Sequence, residues 1–149
     1  MPHVRTQIRT AVATALTGLA TTGPRVHPSR VWPLQQTDLP ALLVYAVSDP
    51  VDEDHLTIGR PRKLTRDLSL VVEARAVGTV GLDDLLDAIE AEVITALALD
   101  PTLGGLAKDV LFAGAEIDLE PAEQPVGTNR MTFRVAYRHR EDDSNTAIQ

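Results

Sequence analysis

Cysteine is absent from this 149-residue chain. Its absence excludes a disulfide framework, a thiolate nucleophile and Cys-ligated zinc, and suits a reducing compartment. Aromatic residues make up only 3% of the chain against 44% hydrophobic residues overall, so Leu, Val, Ala and Ile must build the core. No apolar run reaches the roughly 18 residues of a spanning helix, so no membrane partner is expected. Thr and Gln residues interrupt positions 6 to 17, which argues against a secretory h-region. The formal charge of −7 is a poor starting point for nucleic-acid binding, and no sequence recognition of nucleic acid is expected.

Patterns that carry chemistry are missing as well. His3, His27, His55 and His139 form no HxxxH or HxxE pair that would set two ligands on one helix face. They are read as surface or packing residues. No GxSxG elbow surrounds Ser29, Ser48 or Ser69, and a triad of Ser48, His27 and Asp49 would rest on an assumed proximity. Gly104-Gly105 lacks the Lys and Ser/Thr of a phosphate loop and follows Pro101 as a helix breaker. No enzymatic activity, no catalytic or metal-ligating residue and no cofactor is expected.

Periodicity is what the chain does have. Val4, Ile8, Ala11, Val12, Ala15, Leu16 and Leu19 fall on one helical stripe, which ends in the breaker cluster Thr21 to Pro24. Prolines 24, 28, 33 and 40 then allow only an extended edge segment holding Val26, Val31 and Trp32. Ala41 to Val47 is apolar on both faces and reads as a buried central strand. From Leu68 to Val77 the pattern alternates, with Leu68, Leu70, Val72, Ala74 and Ala76 on one face. Within a few residues the period changes from 2 to 3.6, and Leu82 to Leu99 reads as an acidic amphipathic helix stopped by Asp100-Pro101. Val110 to Leu119 is a strand with Leu111, Ala113, Ala115, Ile117 and Leu119 facing one way. Pro121 to Asn129 connects it to Met131–His139, where Met131, Phe133, Val135 and Tyr137 point inward.

The expected fold is therefore α+β: a single two-layer domain over residues 1–140, with a mixed or antiparallel sheet of about four strands and two main helices on one face. Residues 141–149 carry no pattern and are expected to be a disordered tail.

Surfaces are then the place to look for function. Asp83, Asp84, Asp87, Glu90 and Glu92 form an acidic helix face, which is read as solvated unless it meets a partner. Arg134, Arg138 and Arg140 lie on the outward face of the last strand, with Glu73 and Arg75 on its neighbour. Unlike patches on one small domain suit head-to-tail association of identical copies. The acidic face with Arg134 and Arg138 is the candidate subunit or partner interface. The charged stretch from Ser48 to Lys63, with Asp52, Glu53, Asp54, Arg60, Arg62 and Lys63, is a candidate assembly loop, mobile alone and ordered by a partner.

Taken together, several segments between residues 3 and 140 resemble the tail terminator proteins of long-tailed bacteriophages, the family of the phage lambda tail terminator. They are the RxxVxxAL helix (Arg9, Val12, Ala15, Leu16), the LPALLVY strand from Leu39 to Tyr45, LSLVVEARAV, LDDLLDAIEAEV, the DPTLGGL turn and the closing MTFRVAYR strand. The resemblance lies in element order rather than in any one motif. It implies a structural virion protein, assembled in the host bacterial cytoplasm and resident in the tail or neck. Six copies would ring the head-proximal end of the tail tube, stop its polymerisation and present a surface for head–tail joining. The implied partners are the chain itself, the tail tube protein and a head-side connector or head-closure protein. Two other readings stand beside it. One is another neck, tail-completion or head-closure component. The other is a small metal-dependent hydrolase, which would require His27, His55 and an acidic residue to meet in one pocket.

Overall fold

A computed structural model describes residues 2–31, 38–78, 80–121 and 125–148. Helix α1 spans Val4–Leu16, followed by strand β1 at Val26–His27 and β2 at Ala41–Ser48. A short 3-10 turn at Glu53–His55 precedes β3, Lys63–Val77. Helix α2 is Leu82–Ala98, and β4 (Asp109–Glu120), β5 (Val126–Arg140) and β6 (Asp143–Ile148) complete the chain. The strands form one curled mixed sheet in the order β1-β2-β3-β5-β4, with β6 paired to β5. Among the described residues only β1 and β2 run parallel.

Among the described residues the sheet has six strands, where about four were expected. One of the additional strands, β1, falls at Val26 of the expected edge segment, and the other, β6, escaped the pattern. β1 is two residues long and bonded to β2 at Leu42 and Leu43, too short to show a period. Trp32, placed in the same edge segment by the sequence, lies outside the described residues. β6 is mostly polar, and residues 141–149 were expected to be disordered. Instead β5 turns back on itself, with Arg140 opposite Asp143 and Arg138 opposite Ile148. The Gln7 side chain donates to the Asn145 carbonyl at 2.8 Å, and Ala147 packs against the core. Neighbouring backbone, not hydrophobic pattern, orders this segment.

The spine is the β3–β5 pair, whose register runs unbroken from Lys63 opposite Arg140 to Val77 opposite Val126. At about 3.3 Å per residue the pair is roughly 50 Å long. Leu68, Leu70, Val72, Ala74 and Ala76 of β3 and Met131, Phe133, Val135 and Tyr137 of β5 are buried as the alternation predicts. They share one core with Val4, Ile8, Val12, Ala13 and Leu16 of α1 and with Leu86, Ile89, Val93 and Leu97 of α2. Ala13 takes the place expected of Ala15, which is exposed. Helix α2 packs tightly on the sheet at Gly127, where an added Cβ would stand 2.8 Å from a Leu86 methyl and 2.9 Å from a Leu119 methyl.

Strand β4 departs from its expected phase. Its register with β5 shifts between Phe112 and Gly114, where Gly114 has φ 147°. Such a bulge adds one residue and flips side-chain parity. Val110 and Phe112 therefore pack against the core while Leu111 is 60% exposed. Beyond the bulge Ala115, Ile117 and Leu119 stand opposite Met131, Asn129 and Gly127. β4 ends the strand order, and Ile117 and Leu119 remain about half exposed.

Candidate assembly surfaces

Charged groups gather in two buried centres, and the sequence points to neither as a unit. The first lies where β2 ends. Asp49 Oδ2 accepts from Arg5 Nη1 and Arg66 Nη2, both at 3.0 Å, and from the Tyr137 hydroxyl. Its Oδ1 is buried without a hydrogen-bond partner among the described residues. Arg66 also donates to the Asp49 carbonyl and to His139 Nε2 at 3.2 Å. His139 Nδ1 lies 2.7 Å from the Arg140 carbonyl. A neutral imidazole with its proton on Nδ1 satisfies both contacts. Burial, then the hydrogen bond to Asp49, pushes the Tyr137 phenol far above its ordinary value. Nearby, His3 Nδ1 caps α1 by accepting from the Arg5 amide at 2.9 Å. Burial first, then the charges of Arg5 and Arg66, holds the His3 ring below its usual pKa.

A signal for this centre does exist in the sequence. Arg66 shares the parity of Leu68 and Leu70, and His139 that of Tyr137. A guanidinium in phase with a core face requires a buried acceptor.

The second centre is on the opposite face of the sheet. Glu73 is buried and accepts from Tyr45 Oη at 2.8 Å, Arg130 Nε at 3.1 Å and Arg75 Nε at 2.6 Å. Leu43, Tyr45 and Val71 form a small apolar cluster on this face, and Arg30 sits 5.1 Å from the centre of the Tyr45 ring. Burial opposes ionisation of Glu73, but the hydrogen bonds from Tyr45 and Arg75 and the arginine charges outweigh it, so its pKa lies below the usual value.

The acidic helix face divides in two. Glu90 accepts from Asn129 Nδ2 at 3.0 Å, and Glu92 accepts from the Thr21 amide at 2.9 Å and from its hydroxyl. These two carboxylates bind the molecule to itself. Asp83, Asp84 and Asp87 are exposed at the start of α2. Asp83 and Asp84 border an open cavity of about 440 Å³ with Leu82, Leu119 and Pro125. Of the candidate basic residues, Arg134 is already ion-paired with Asp67 across the β3–β5 ladder. Arg138 is half-buried beside Asp52, His55 and Lys108.

The candidate assembly loop is stitched to the β5–β6 turn. Glu141 accepts from Arg60 Nη1 at 3.2 Å and from the Arg62 amide at 2.9 Å. Asp52 accepts from the Asp54 amide and lies 2.7 Å from His55 Nδ1. The Lys63 amide donates to Thr57 Oγ1. Glu53 and Asp54 are exposed. His27 stands on β1 opposite Leu43, and His55 in the 3-10 turn between β2 and β3. Among the described residues no three His, Asp or Glu side chains are grouped to hold a metal ion.

No protein-family model matches the chain, and no curated protein matches it.

Proposed function

We propose that the chain is a non-catalytic structural subunit of the tail terminator kind. Copies of it, six by the family resemblance, would close a ring on the head-proximal end of a phage tail tube, end its growth and offer the surface for head–tail joining. The observation that carries this reading is the order of elements. The segments on which the resemblance rests fall on α1, β2, β3, α2, the turn at residues 100–106 and β5. In this reading the helices make one layer over one face of the sheet, and the opposite face and edges are left for partners. The exposed edge strand β4, with Leu111, Ile117 and Leu119 uncovered, suits a protein that is finished only in an assembly.

Deleting the gene in the virus that carries it tests the proposal. Tails of uncontrolled length that fail to join heads are expected, with restoration when the chain is supplied in trans. Normal tails with unjoined heads would assign the chain to head closure instead. Unchanged particles would refute a structural role.

A further inference from the structure

The first centre opens onto a recess that holds more positive charge than it uses. Arg5, Arg9 and Arg66 line it with Ser48 and Asp49, in a cavity of about 450 Å³. Asp49 pairs with Arg5 and Arg66. Arg9 makes no ion pair or hydrogen bond among the described residues, which leaves three guanidiniums facing one carboxylate. Helix α1 adds to the imbalance. Its first turn carries Arg5 and no acidic residue of its own, so the positive end of its dipole adds to the field of the recess.

The opposite condition holds at the other end of β3. Arg66 is near the beginning of that strand, and α2 starts five residues after its end at Val77. Val77 is eleven residue steps along the strand from Arg66, roughly 36 Å of chain. At the far end Asp83, Asp84 and Asp87 are exposed, and the helix cap Gly81 supplies no side-chain bond to the first amides. Each end also exposes apolar surface: Val47 by the recess, Val80 and Leu119 by the acidic turn.

We propose that the start of α2 in one copy, with Asp83, Asp84 and Asp87, docks in the Arg5–Arg9–Arg66 recess of the next. This contact deepens the ring reading and rests on it. Unlike patches at opposite ends of one subunit make a heterologous contact, the kind that closes into a ring or runs on as a filament. Arg134 is committed to Asp67 and takes no part. Charge supplies the recognition, so the contact weakens as salt rises from about 0.1 M to about 1 M and the screening length falls from about 10 to about 3 Å.

The lack of native cysteine makes a direct test possible. Ser48 lies in the recess and Ala88 one turn after Asp84, and both are exposed. The full-length double variant Ser48→Cys/Ala88→Cys, oxidised at low salt, should give a disulfide-linked ladder that ends at the closed ring. A mixture of the two single variants should stop at dimers, formed at least about tenfold faster than from either variant alone. Arg9→Glu should abolish the ladder, and adding Asp84→Arg should restore it; Arg134→Glu should leave it unchanged. Equal rates for the mixture and the single variants would overturn the contact. A ring seen on particles without this ladder removes the contact and leaves the tail reading standing. A ladder without a ring on particles does the reverse.

Discussion

The two buried carboxylates are built from the same parts: one acid, two arginines and one tyrosine. They use those parts differently. Glu73 receives Tyr45 and Arg130 on one oxygen and Arg75 on the other, so both are satisfied, and every partner comes from the adjoining strands β2, β3 and β5. Asp49 gathers Arg5, Arg66 and Tyr137 on a single oxygen and leaves the other bare. Its partners come from α1, β3 and β5, so it holds a helix to the sheet. Glu73 is a closed structural joint. Asp49 is a joint with one oxygen left unpaired and outnumbered by the guanidiniums of the recess it opens on, which suits the contact proposed above.

Removing each acid should separate the two. Asp49→Ala strands Arg66, whose side chain is only 17% exposed, together with the Tyr137 hydroxyl. Breaking a buried pair from one side costs about 3–5 kcal/mol, and urea unfolding should show a loss of that size. A loss under about 1 kcal/mol would mean that water replaces the carboxylate freely. Glu73→Gln should cost less, about 1.5–3 kcal/mol, because Arg75 and Arg130 are more than one-third exposed and rehydrate.

The two centres should also differ in the pH at which they fail. Glu73 has a folded pKa below its unfolded one. Its contribution is complete above the ordinary glutamate value and is lost as pH falls through the folded value. Glu73→Gln should flatten the acid limb of the stability profile below about pH 4.5. An acid limb that stays as steep would place that loss elsewhere.

His3, beside the Asp49 centre, acts earlier in an acid titration and more weakly. Its folded pKa is also lowered. The neutral ring caps α1 in full above the unfolded value near 6.5 and loses the capping lone pair as the pH falls through the folded value. Asparagine caps without titrating. His3→Asn should therefore remove a small loss of stability that sets in as the pH falls below about 6.5. Parallel profiles for the variant and the parent chain would show that the cap does not titrate in this range.

The same contrast separates what the sequence reveals from what it conceals. Strands β3 and β5 are legible because each buries one face along most of its length, and α2 because its apolar spacing follows the helical period. β1 and β6 are invisible to periodicity, since one is two residues long and the other is held by backbone pairing and Gln7. The phase of β4 turns on one bulge at Gly114, which no alternation count would locate. Glu73 is visible as a charge on the outer parity, but its burial beside Leu43 and Tyr45 is a tertiary matter. Glu90 and Glu92 look like part of a free acidic face until Asn129 and Thr21 are brought to them from distant chain. Arg66 carried a usable signal, a charge in core phase. Its acceptor, Asp49, is seventeen residues away and announced only by the fold.

Electron microscopy of intact particles, with this chain marked by a specific antibody, bears most directly on the assembly claim. A closed ring of the labelled chain at the head-proximal end of every tail, between tube and head, is the result expected. Label elsewhere on the particle, or no ring at that position, would contradict it.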